Sequence, residues 1–265
     1  MSLPTLPLEV RQKIYTHVED PDQILAKSIP EFFYAIAPDY FTEISIGAHE
    51  PHSQEERNFT DLVRIYPDSG KFVEILTIVT DRPHYSTIYQ FLDSFPSEPK
   101  LQHVRLVFSM KRDSCPSLRQ IGYELPLTNI LQDSPDLSRL SFVNSLPSRV
   151  LINACIDRLT RLDIGFIPGS LHDINVPLEI PLPPLLEIIS FTPVAAYNFT
   201  GAPPPTLSVI IINSDDYFTD TGITYSCRQF ISRCTSVTSL AVVEDGNFLI
   251  FFPVETTFNR FLKLL

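Results

Sequence analysis

Residues 137–165 read LSRLSFVNSLPSRVLINACIDRLTRLDIG, and the same short pattern occurs in them twice. Leu137-x-x-Leu140-x-Phe142 and Leu159-x-x-Leu162-x-Ile164 each set three apolar residues at three-then-two spacing. The apolar residues alternate with Arg139 and Ser141 in one copy and with Arg161 and Asp163 in the other. Such alternation is the mark of a strand with one buried face. Arg149 to Asp157, between the copies, is a candidate helix, so the unit is a strand, a helix and a strand again.

The pattern continues in both directions. Further copies are Phe41-x-x-Ile44-x-Ile46, Val73-x-x-Leu76-x-Ile78, Leu101-x-x-Val104-x-Leu106, Leu186-x-x-Ile189-x-Phe191, Leu207-x-x-Ile210-x-Ile212 and Val237-x-x-Leu240-x-Val242. Successive starts lie 32, 28, 36, 22, 27, 21 and 30 residues apart, a mean of 28. This resembles the leucine-rich repeat, whose units run about 20–29 residues around an LxxLxL strand. Asp81, Ser109, Ser145, Asp215 and Asp245 stand where that repeat usually has Asn or Cys, so the array is irregular. The resemblance implies an α/β solenoid with a parallel sheet and outer helices or loops. An ordinary α/β sheet of βαβ units is the competing architecture, and the three-then-two spacing favours the solenoid.

Helices are expected after the capping box Ser53–Glu56, over Ser86–Phe95, over Thr128–Asp133 and over Cys227–Cys234. Val176–Pro184, with four prolines, and Pro203-Pro204-Pro205 predict extended connections instead. The apolar run Phe248–Phe252 and a helical pattern over Thr256–Leu265 predict a closing cap.

Ahead of the repeats the chain begins differently. Val10, Ile14 and Val18 recur on one helical face, with Pro7 suited to the first turn. Asp20-Pro21-Asp22-Gln23 restarts a helix with an N-cap, a proline and a capping Gln, and Pro30 opens a third that ends before Pro38. Leu6-Pro7-x-Glu9, Ile14, Val18, Asp20-Pro21, Ile24-Leu25, Phe33 and Pro38 together resemble an F-box, the module by which ubiquitin-ligase receptors bind the Skp adaptor. The resemblance implies a three-helix module over residues 1–40 and a repeat domain over 41–265. It further implies adaptor contacts from Leu6, Pro7, Ile14, Val18, Ile24, Leu25, Ile29 and Phe33, and a cullin-based ligase as the wider partner. Ile29-Pro30-Glu31 departs from the family pattern. A second reading therefore stays open: a leucine-rich-repeat interaction scaffold with a degenerate box and no part in ubiquitination.

Composition limits the partners. Of 265 residues, 44% are hydrophobic, enough for a sizeable core. A net charge of -11 argues against a phosphate-backbone grip, so nucleic acid is not expected. No apolar run approaches the ~20 residues that span a bilayer, and no secretory apolar region opens the chain. The expectation is an intracellular protein, cytoplasmic or nuclear, with no membrane partner. Cys115, Cys155, Cys227 and Cys234 form no CxxC pair and read as reduced thiols.

In each strand the residues between the consensus positions line the opposite sheet face. The resulting ladders bring His103, Arg105, Arg139 and Arg161 together, with the apolar Ile188, Val209 and Ile211 further along. Arginine forks bind carboxylate and phosphate bidentately, so this face is the candidate substrate surface for an acidic or phosphorylated protein segment. Ile188 and Ile211 would seat an apolar anchor; neutralisation by Asp163 is the alternative. No chemistry-bearing motif is present: Ser69-Gly70-Lys71 lacks a phosphate loop's upstream glycine, and His49-Glu50-Pro51-His52 has no third ligand nearby. No enzyme activity, metal or cofactor is expected, and Pro at 24 against Gly at 8 suits rigid connections over glycine-rich loops.

Overall fold

Each of the eight repeated segments is a strand in the computed structural model, and each strand starts two residues after its motif's first apolar residue. The structure describes Pro7, Val10 and residues 42–46, 67–80, 92, 95, 99–108, 124–145, 147–165, 178–192, 197–214, 225–244 and 247–253. In chain order the strands are β1 (Glu43–Ile46), β2 (Ile75–Thr80), β3 (His103–Phe108), β4 (Arg139–Val143), β5 (Arg161–Gly165), β6 (Leu178–Pro181), β7 (Ile188–Phe191), β8 (Tyr197–Thr200), β9 (Val209–Ser214), β10 (Ser239–Glu244) and β11 (Asn247–Pro253). The helices are α1 (Glu124–Gln132), α2 (Arg149–Ala154) and α3 (Tyr225–Arg233), with a 3-10 turn over Pro67–Phe72.

Nine strands form one open sheet in the order β1-β2-β3-β4-β5-β7-β9-β10-β11. The order follows the chain without reversal, and every pair is parallel except β10 with β11. The protein is thus a mixed α/β fold with a mostly parallel sheet. Consensus residues align across the strands: Ile44, Leu76, Val104, Leu140, Leu162, Ile189, Ile210 and Leu240 form one continuous row. A second row runs Ile46, Ile78, Leu106, Phe142, Ile164, Phe191 and Ile212. Both rows are buried, as are the motif-opening residues Val73, Leu101, Leu137, Leu159, Leu186, Leu207 and Val237. A one-residue slip of any strand would turn its apolar set out to water, so the pattern fixes the register.

Just before each strand the backbone makes a second, unbroken row of bonds. The Thr42 carbonyl accepts from the N–H groups of both Glu74 and Ile75, and Glu74 in turn accepts from Gln102 and His103. The relay continues through Gln102, Ser138, Thr160, Glu187 and Ser208 to Thr238 and Ser239. Ser138, Thr160, Ser208 and Thr238 add a hydroxyl donation to the carbonyl of the preceding unit, at 3.3–3.4 Å.

The helices cover the buried side. α2 starts at Ser148, whose Oγ accepts from Leu151 N–H at 3.3 Å and donates to Glu124 Oε1 of α1 at 2.6 Å. The Arg158 guanidinium donates to the Leu131 and Gln132 carbonyls, which satisfies acceptors left open at the end of α1. α1 begins four residues earlier than the expected Thr128, because the Thr128 hydroxyl bonds back to the Glu124 carbonyl at 2.6 Å and does not cap. α3 starts two residues before the expected Cys227.

Two features correct the sequence expectation. Leu178–Pro181 of the first proline-rich connection is extended, as expected, but it is a strand that pairs with β8 in a separate parallel sheet, whereas Pro203-Pro204-Pro205 leads into a turn in which Leu207 N–H donates to the Pro204 carbonyl. Ile180, Tyr197 and Phe199 of that small sheet are buried against the core. The final pair, β10 with β11, is antiparallel. Only Asp245-Gly246 separates the two strands, whereas a parallel return needs a crossover of about a dozen residues. The helix expected over Thr256–Leu265 and the capped segment after Ser53 lie outside the described residues. Over Ser86–Phe95 the described residues are Leu92, which is helical, and Phe95, whose N–H donates to the Leu92 carbonyl at 3.2 Å. Ser69-Gly70-Lys71 lies within the 3-10 turn. No helix among the described residues is long and apolar enough to cross a membrane.

Candidate functional site

Side chains between the consensus positions leave the sheet on the face away from the helices, and most of them are partly or fully exposed. The Cα register sets His103 beside Arg139, Arg139 beside Arg161 and Arg161 beside Ile188. Arg105 lies beside Ser141, and Ser141 beside Asp163. Adjacent strands are about 4.8 Å apart, so His103, Arg105, Arg139 and Arg161 share one patch over β3–β5. Ile188, Val209 and Ile211 continue the same face over β7 and β9. All the sequence-predicted substrate-binding residues are therefore brought to one surface.

Asp163 is the hub of the patch. Its Oδ2 accepts from Arg139 Nε at 2.7 Å and from Ser141 Oγ at 2.9 Å, and its Oδ1 accepts from Arg161 Nε at 3.0 Å. His103 Nε2 lies 2.8 Å from Ser141 Oγ. The Ser141 hydroxyl gives its one proton to the carboxylate, so its oxygen accepts from His103, which assigns the Nε2–H form. Arg105 is exposed and has no ion-pair partner among the described residues. Asp163 does pair with two arginines, but one carboxylate against three guanidiniums leaves the patch at +2 in a chain of net charge -11.

Burial holds His103 well below its ordinary range, at about 4, with Arg139 adding to the effect, Asp163 opposing it and Arg105 and Arg161 contributing less. The folded protein favours the neutral ring, so its contribution to stability is complete above the unfolded value of 6.5 and is lost as pH falls through about 4. Thermal melting between neutral pH and pH 4 should show that loss, and His103→Gln should flatten the curve while keeping a donor for Ser141. An imidazole NMR midpoint for His103 near 6.5 would contradict this account.

His, Ser and Asp in a row invite comparison with a nucleophilic triad, but the order of bonds is different. In a triad the imidazole stands between hydroxyl and carboxylate and takes the hydroxyl proton. Here the hydroxyl stands in the middle, its proton faces Asp163, and Ser141 is buried at 2% exposure. The chain positions side chains; it does not activate Ser141. Ser141 joins the site beyond the sequence expectation, and Asp163 does more than neutralise the arginines: it ties both of them and Ser141 together. Their signal is the succession of polar residues Arg105, Ser141 and Asp163 at neighbouring positions of one ladder.

Of the expected adaptor-binding residues, Leu6, Ile14, Val18, Ile24, Leu25, Ile29 and Phe33 lie outside the described residues. Pro7 is exposed, and its carbonyl accepts from the N–H of helical Val10 at 3.1 Å, consistent with a first helical turn there. Cys155 and Cys234 are buried free thiols, and His49 and His52 fall outside the described residues. A concavity of about 410 Å³ lies between β8 and α3, lined by Tyr197, Asn198, Phe199, Gln229, Ser232 and Arg233, away from the patch. The chain matches no protein-family model and no curated protein.

Proposed function

We propose that this chain is the substrate receptor of a Skp–cullin ubiquitin ligase. Residues 1–40 act as an F-box-like module that docks the Skp adaptor, and residues 41–265 form an irregular leucine-rich-repeat solenoid that holds a protein substrate on the open sheet face. The chain works inside the cell and carries no catalytic group of its own. Its contribution to rate is proximity, since holding the substrate beside the conjugating enzyme makes the transfer effectively intramolecular.

The observation that carries this reading is the in-order parallel sheet with one face open, on which a basic patch adjoins an apolar one. A surface of that kind suits binding, and it follows directly on a segment with the Leu-Pro helix pattern. The test is affinity purification of the whole chain, scoring Skp adaptor and cullin peptides. Both are expected in the wild-type sample, and Leu6→Asp or Ile14→Asp should remove them without changing the repeat domain's melting. Recovery undiminished in both variants would remove the box from the account; no adaptor in any sample would leave the repeat scaffold without ubiquitination.

A further inference from the structure

Each guanidinium of the patch offers five N–H donors, and Asp163 takes only the Nε donors of Arg139 and Arg161. The Nη ends of both side chains have no partner among the described residues. Ser141 and His103 brace the carboxylate from the other side, so the two side chains are tied back at their bases and free at their tips.

We propose that Arg139 and Arg161, oriented by Asp163, form a two-pronged receptor for one phosphoryl group on a protein segment, with Arg105 at its flank and Ile188, Val209 and Ile211 as the seat for that segment's apolar side chains. The proposal rests on the open face being the substrate surface. Charge selects the ligand: a phosphoryl group carries about -1.5 to -2 at neutral pH, which matches the patch at +2, whereas a single carboxylate leaves half of it uncompensated. Geometry sets the spacing. From between Arg139 and Arg161, Ile188 is one and a half strands away and Val209 two and a half, roughly 7 and 12 Å. In an extended segment crossing the strands, residues two and four positions from the phosphorylated one lie on the same side at about 7 and 13 Å. Apolar side chains at those two positions would meet Ile188 and the Val209–Ile211 pair.

Asp163 gives the idea its sharpest consequence. If the patch were only a diffuse positive field, removing that carboxylate would strengthen anion binding. If the carboxylate orients the fork, removing it weakens binding although the net charge rises.

The experiment uses the full chain and three oriented peptide libraries, fixed centrally on phosphothreonine, threonine or glutamate. Retention of the phosphothreonine library above both others is expected, with apolar residues selected two and four positions away. Asp163→Asn, and separately Arg139→Lys with Arg161→Lys, should each weaken binding of a selected phosphopeptide by about tenfold. The lysine pair keeps charge and fold, so it guards against an Asp163 variant that misfolds. Arg149→Gln, remote from the patch, should bind as wild type. Equal retention of the glutamate library, no preference for the phosphorylated one, or tighter binding by a folded Asp163→Asn would each overturn the proposal. Adaptor recovery is scored separately, so a failure here leaves the ligase reading standing, and a failure there leaves this one.

Discussion

Replacing Phe191 by alanine is expected to lower the free energy of unfolding by about 3–5 kcal/mol, the usual range for a fully buried aromatic. Phe191 of β7 is completely buried and joins three layers. Its ring centroid lies 5.2 Å from that of Phe199 in the small sheet and 5.9 Å from that of Phe230 in α3. Phe199 and Phe230 stack at 4.2 Å. Removing the central ring leaves a cavity that none of the three elements can close without pulling away from another. Urea denaturation followed by circular dichroism measures the loss, and Leu185→Ala, at a position 47% exposed, should stay within about 0.5 kcal/mol of wild type. A loss below about 1 kcal/mol at Phe191 would mean that the small sheet and α3 do not pack as described. Because the rings touch, the Phe191→Ala and Phe230→Ala effects should not add.

Cys155 and Cys234 should resist alkylation about a thousandfold more in the folded chain than in concentrated guanidinium. Burial pushes each thiol from 9.0 up to about 12, with Arg158 and Arg233 respectively offsetting only part of the rise. Three units of acidity remove about a thousandfold of the reactive thiolate. Each thiol also donates to the carbonyl four residues before it, Leu151 or Phe230, at 3.3 Å. The sign of the linkage is definite: raised values stabilise the fold below about pH 9, and that contribution is lost as pH climbs from there towards about 12. Iodoacetamide labelling at about pH 8, read peptide by peptide by mass spectrometry, provides the check. Rapid labelling of Cys155 in the native chain would contradict its burial.

The eight repeated strands and their ladders were legible because the pattern is periodic: one apolar row fixes the register of all the others. Thus Arg139 beside Arg161, and Ser141 beside Asp163, follow from Leu140 beside Leu162. The small sheet was not legible, since Leu178–Pro181 and Tyr197–Thr200 are short, unlike each other and lack the repeat. Their pairing comes from the shared aromatic core beneath them. Asp245-Gly246 carries a hairpin signal of its own, which the repeat pattern does not contain. Within the site, positions could be read but bond directions could not. That Asp163 would take the Nε of both arginines, and Ser141 the place between His103 and Asp163, depends on side-chain geometry that spacing does not encode.

The row of shared carbonyls from Thr42 to Ser208 explains how such uneven units coexist in one sheet. Neighbours are joined there by main-chain atoms, and the residue supplying the carbonyl is Thr, Glu, Gln or Ser with equal success. Heredity can therefore rewrite, lengthen or duplicate the outer half of a unit without disturbing its seam to the next. The 21 to 36 residues between successive starts record that freedom, while the strands themselves stay in one unbroken register.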